Sequence, residues 1–139
     1  MYEIRFEADC DTASFHFHEE MEILYVLSGR LGVMTNGSNY VLGVEEFVIF
    51  NPFDYHEMYK EAGSHTISAY IPLSLLQQSE VEEIHCCSVH QLEKPEYLSM
   101  VRSKLAIIYK YYSGHQPERD LLIKSELYSL LAILKQQFG

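Results

Sequence analysis

Between residues 22 and 71 the apolar positions come in runs of four to seven, each cut short by a turn signal. Glu22 to Leu27 is almost continuously apolar and aromatic, the pattern of a strand covered on both faces, and Ser28-Gly29 breaks it. Leu31 to Thr35 follows. Asn36-Gly37 is then a strong hairpin signal, because both central residues of a type I′ turn need positive φ, and Asn39 to Leu42 is the return strand. Phe47 to Phe50 reads as another buried strand, stopped by Asn51-Pro52. Tyr55 to Tyr59 and His65 to Ile71 alternate, and Ile84 to Val89 is a weaker candidate. Short strands at this regular spacing predict a sandwich or barrel rather than a parallel sheet.

After Lys94 the period lengthens. Pro95 and Pro117 each stand where a first helical residue belongs, with Glu96, Glu118 and Asp120 placed to favour the helix dipole, and Gly114 supplies the stop between two helices. In the first helix Leu98, Val101, Leu105, Ile108 and Tyr112 form one stripe. The second is apolar around more than half its circumference, from Leu121 to Phe138, and only Ser125, Ser129, Ala132 and Gln136 form a narrow polar or small strip. Such breadth calls for two partners. It predicts either a helix wedged between barrel and first helix, or pairing with a second copy through Leu127, Leu131, Leu134 and Phe138.

Composition narrows the class. With 139 residues, 47% hydrophobic and 22% charged, the chain is an ordinary globular one with enough length for a real core. The formal charge of −10 is uneven: residues 1–94 hold sixteen acids against four bases, residues 95–139 four acids against six. So acidic a first part repels a phosphate backbone, which argues against DNA binding by this chain itself. The N-terminus has no secretory pattern and no apolar run is long enough to span a bilayer, so no membrane role is read and a cytoplasmic place is expected. Cys10, Cys86 and Cys87 form no framework and read as reduced, buried thiols.

Four residues could carry chemistry: His16, His18, Glu22 and His56. His16 and His18 are two apart and point to one face of a strand, and Glu22 lies at a further even offset. His56 follows Pro52 at the start of another strand, which could pair across. Three imidazoles and a carboxylate in one pocket would suit Zn, Mn, Fe, Ni or Cu, and nothing in the chain chooses among them. Without metal, the same side chains are convergent polar groups in an apolar cavity, which a small polar ligand needs. Tyr25, with Tyr40, Tyr55 and Tyr70, could line that cavity, and Arg30 could pair with an anionic effector.

His16-x-His18-x-x-x-Glu22, followed by six residues and Gly29, resembles the first cupin motif, and Gly43 through His56, with Pro52, resembles the second. The whole stretch from Phe15 to His56 is similar to the N-terminal sensor domain of AraC-type transcriptional regulators. The resemblance implies a mainly β fold: a cupin-like antiparallel β-barrel (jelly roll) over residues 1–94, then a two-helix hairpin over 95–139 packed on it and used for dimerisation. It implies a small-molecule effector, often a sugar, a homodimer, and DNA binding through a C-terminal helix-turn-helix module that this chain lacks. On that reading the native chain continues beyond Gly139. The departures are Cys10 for a motif glycine, Glu45-Glu46 for a Gly-Asp pair and Lys60 for an asparagine. Cupin enzymes tend to keep those features, so no catalysis is expected. The alternative is a free-standing metal-dependent cupin enzyme of dioxygenase or sugar isomerase type.

Overall fold

The structure, a computed structural model, describes residues 4–8, 13–16, 19–35, 37–81, 83–84 and 95–138. The expected strand at Ile84 to Val89, the three cysteines, His18 and Asn36 lie wholly or mostly outside them. Eight strands come first: β1 (Arg5–Ala8), β2 (Ala13–His16), β3 (Met21–Ser28), β4 (Leu31–Thr35), β5 (Ser38–Leu42), β6 (Phe47–Phe50), β7 (His56–Lys60) and β8 (His65–Ile71). Three helices follow: α1 (Leu73–Gln78), α2 (Pro95–Ser113) and α3 (Arg119–Phe138).

The strands form two antiparallel sheets, in the orders β1-β8-β3-β6 and β2-β7-β4-β5. The chain alternates between them, as in a jelly roll, but among the described residues no ladder joins the two. Among the described residues the arrangement is two stacked sheets, and closure into a barrel is not seen. Two elements were not foreseen. β1 continues an apolar-polar alternation, Ile4-Arg5-Phe6-Glu7-Ala8, that sequence reasoning missed, and α1 is a six-residue helix after Pro72 that buries Leu76.

Burial separates the sheets. In β3 and β8 nearly every position is buried, whereas β4 and β7 alternate between buried and partly exposed residues. The second sheet thus has one face on the core and one in water. The first sheet is covered twice. One face of β3, carrying Glu22 and Leu24, turns to the second sheet; the other, carrying Ile23, Tyr25 and Leu27, turns to α2. Phe47, Phe50, Ile49, Leu42 and Leu127 belong to one continuous apolar core that includes sandwich and helices.

The hairpin of helices closes on itself. Lys104 Nζ donates to Glu126 Oε2 at 2.9 Å, Arg119 Nη1 donates to the Tyr112 carbonyl at 3.1 Å, and the Arg119 guanidinium lies 5.9 Å from the Tyr112 ring centre. The buried stripe of α3 is Ile123, Leu127, Leu130, Leu131 and Leu134, which packs with Val101, Leu105 and Ile108 of α2. Leu127, Leu131 and Leu134 are 0–4% exposed within a single chain. The breadth of apolar surface on α3 is therefore used largely inside the molecule. Leu121 (72% exposed) and Tyr128 (46%) face outward, and the side chain of Phe138 lies outside the described part.

One turn shows how tightly the strands are joined. Gly29, at φ 78°, lies against Ser64, whose Oγ accepts from Arg30 N at 3.0 Å and donates to Arg30 O at 2.9 Å. A Cβ on residue 29 would overlap Ser64 Oγ and come within 2.7 Å of Ser64 Cα. Gly29→Ala should therefore lose about 2–4 kcal/mol, the sum of left-handed backbone strain and a steric clash, read from urea unfolding midpoints. Unchanged stability would mean that the β3–β4 and β7–β8 turns are not held against each other.

Candidate functional site

Glu22 sits near the start of β3, opposite Phe50 of β6 and Tyr70 of β8. Its inward direction follows from strand parity, and it is 0% exposed. Leaving a carboxylate bare in such a place would cost several kcal/mol, so its oxygens need partners. Ser68, diagonal to it on β8, donates its hydroxyl to Glu22 Oε2 at 2.9 Å. Glu22 Oε1 lies 3.4 Å from His56 Nε2. His56 opens β7 in the other sheet, so this contact crosses the sandwich.

The loop before His56 holds the imidazole in place. Asn51 N donates to Asp54 Oδ2 at 2.9 Å and Asp54 N to Asn51 O at 3.1 Å. The Asn51 side chain donates to Ile84 O at 3.0 Å and accepts from Ile84 N at 2.9 Å. Thr35 Oγ1 donates to the Tyr55 carbonyl at 2.8 Å. Phe53 takes φ 69° in this turn, an uncommon conformation for a bulky side chain. His56 Nδ1 is 3.2 Å from the Asp54 carbonyl oxygen, which can only accept, so this nitrogen carries the hydrogen. The ring stacks on Phe50, with centroids 3.9 Å apart and planes 8° from parallel.

Of the residues expected in the site, Glu22 and His56 meet. His16 occupies the β2 register position opposite His56, and His18 lies outside the described residues. Tyr25 and Arg30 are elsewhere. Tyr25 is three positions from Glu22, an odd offset, and so belongs to the other face of β3, against α2. Burial, reinforced by the Glu45 carboxylate and only partly offset by Arg102, raises its phenol pKa, so the hydroxyl stays neutral. Arg30 is on the surface at the far end of β3, where its guanidinium meets the Glu61 carboxylate at 3.1 Å and 3.3 Å. Sequence reasoning missed Ser68 and Phe50. Ser68 shares by parity the face of β8 that meets Glu22, as Thr66 does, so the sequence alone did not single it out.

The donor set suits a metal in kind. A ligating histidine commonly gives its other ring N–H to a backbone carbonyl, as His56 Nδ1 does here, which directs Nε2 toward the carboxylate. In number it falls short among the described residues, where no group of three or more His, Cys, Asp or Glu able to hold a metal ion is found. No described helix is long and apolar enough to cross a membrane.

Among solved structures, the AraC-like transcriptional activator CuxR is 11% identical, with a TM-score of 0.57 over 84% of this chain and 42% of its own. An RmlC-like cupin from Shewanella frigidimarina is 23% identical (TM-score 0.42), over 44% of this chain and 55% of its own. A conserved protein from Streptococcus pyogenes is 9% identical (TM-score 0.47), over 52% and 67%. At such identities CuxR speaks for the fold alone, and this chain spans about half the length of the RmlC-like cupin and less of CuxR. No curated protein matches the sequence. The family model described as AraC-like ligand binding domain matches residues 1–131, nearly the whole length, and the chain therefore belongs to that family.

Proposed function

We propose that this chain is the effector-sensing and dimerisation part of a cytoplasmic AraC-type transcriptional regulator, with no catalytic role. The observation that carries the reading is the Glu22–His56 contact: ionisable groups of opposite kind, 0–1% exposed, joined across the interior of a sandwich. Together with Ser68 they offer a carboxylate, an imidazole and a hydroxyl, which suit the hydroxyl groups of a sugar. DNA would be reached through a C-terminal helix-turn-helix module outside this chain. β3 supplies the coupling, because it bears Glu22 on its inner face and Tyr25 on the face against α2. A ligand that shifts the first residue biases the packing at the second.

A sugar held at about 100 times its Kd stabilises the folded state by about 2.7 kcal/mol, several degrees in Tm. Thermal melts of the chain with L-arabinose, D-xylose, D-galactose and D-glucose should show that rise with at least one of them. The volume-conserving Glu22→Gln should abolish it. No rise with any of the four, or one that survives Glu22→Gln, counts against a sugar held by this carboxylate.

A second reading is favoured by the orientation of His56. Glu22 and His56, joined by His16 and His18, would hold one divalent transition metal (Zn, Mn, Fe, Ni or Cu), which would add a Lewis acid to the sandwich interior, as in a metal-dependent cupin enzyme. Elemental analysis of purified protein tests this. Stoichiometric metal that disappears in His56→Ala supports it, and metal-free protein after growth with all five removes it.

The homodimer contact needs a revised location. Because Leu127, Leu131 and Leu134 are buried within one chain, a copy-to-copy contact through α3 would use the outward stripe of Leu121, Ser125, Tyr128 and Ala132. Sedimentation should find a dimer that Leu121→Glu with Tyr128→Glu converts to a folded monomer. Leu127→Glu should instead cost more than about 3 kcal/mol, since it places a charge in the core. A monomeric parent, or a dimer indifferent to the double change, removes this interface.

A further inference from the structure

The outer face of β3 meets α2 along a groove that the interior site does not touch. It has two lobes of about 440 Å³ and 500 Å³, which share Tyr25, Glu45 and Ala106, and each is of small-molecule size. Its polar chemistry is incomplete. The Ser28 hydroxyl, buried in the wall of the first lobe, has no hydrogen-bond partner among the described residues. Tyr25, 4% exposed, lines both lobes, and no hydrogen bond of its hydroxyl is found among the described residues. A buried hydroxyl is ordinarily paired, so that of Ser28 calls for a partner from outside, and the Tyr25 hydroxyl stands beside it to share one. The groove is separate from the interior, where Glu22 meets Ser68 at 2.9 Å and His56 at 3.4 Å.

Charge is also arranged. Arg102 Nε donates to the Glu45 carbonyl at 2.9 Å, which draws a guanidinium alongside Glu45, a residue that lines both lobes. The Arg102 fork keeps its two terminal nitrogens for a carboxylate. Glu45 is itself fixed, at φ 66°, with its N–H donating to Val26 O at 2.8 Å. Leu27, Val44 and Tyr109 complete an apolar wall. We propose that this groove binds a small zwitterion with an apolar side chain, a free amphipathic α-amino acid. Its carboxylate meets Arg102, its ammonium meets Glu45, and the Tyr25 and Ser28 hydroxyls complete the polar contacts. The site joins β3 and the β5–β6 turn to α2, so its occupant clamps the helix onto the sheet. The proposal does not depend on what occupies the sandwich interior.

Isothermal titration of the chain with L-leucine, L-methionine and L-phenylalanine tests it. At least one should bind, and the half-ligands isovalerate and isopentylamine should bind at least about tenfold more weakly. Arg102→Gln and Tyr25→Phe should each raise Kd about tenfold or more. Tyr25→Phe should leave Tm essentially unchanged, because its hydroxyl has no protein partner to lose. Ala106→Phe, at an exposed helix position where the lobes join, should abolish binding without unfolding the chain. Glu22→Gln should change nothing, so loss of the interior reading and loss of this one are distinguishable. Absence of binding by all three amino acids overturns the proposal. So does binding that survives Ala106→Phe, or isovalerate binding as tightly as L-leucine.

Discussion

A carboxylate removed from water must be answered by donors or by charge, and the cost of failing is several kcal/mol. Glu22 is removed completely, and its two oxygens are answered from different places, by Ser68 in its own sheet and His56 in the other. That constraint orders much of what surrounds it. It fixes which residue of β7 faces inward, and it requires the Asn51–Tyr55 loop to deliver an imidazole at one height and one rotation. The loop accordingly carries more side-chain anchoring than its length would suggest: Asn51 to Ile84, Asp54 back to Asn51, Thr35 to Tyr55. The strained φ of Phe53 belongs to the same bargain, in which local backbone cost is met by the bonds on either side.

Much of this could be read from the chain because the physics involved is local. β4, β6 and β8 have the expected bounds, since each is an apolar or alternating run between strong breakers, and β3 is one residue longer at each end. The two long helices follow from a proline at one end and Gly114 between them. Glu22 and His56 were found because a carboxylate heading an apolar strand and a histidine after a proline have few uses on a surface. What escaped depends on non-local facts. β1 is only four residues long, and although Arg5-Phe6-Glu7-Ala8 alternates, its place is set by the edge that β8 offers it. Tyr25 was placed beside Glu22 although their offset is odd, and one residue of parity carries it through the sheet to the opposite face. Ser68 is unremarkable until β8 is known to lie next to β3.

The second long helix illustrates a different limit. Its sequence announces two apolar contacts without naming them. The structure gives the broader one to α2 and the core and leaves Leu121 and Tyr128 outside. Amphipathicity measures how much surface needs cover, not whether the cover belongs to the same molecule. The same holds for cavities. The polar groups most evident in the sequence meet inside the sandwich, whereas Tyr25, Ser28 and Arg102, scattered over two elements, converge only once α2 is laid on the sheet.

The unequal burial of the two sheets also has a dynamic consequence. Backbone amides of β3 and β8 are sealed by side chains above and below, while those of β4 and β7 have water on one side. Opening free energy follows such differences, so isotope exchange will proceed through the half-covered sheet well before it reaches the doubly covered one. Glu22 and His56 straddle that boundary. Their contact is thus the seam at which the molecule can breathe, with a rigid wall on one side and a yielding one on the other.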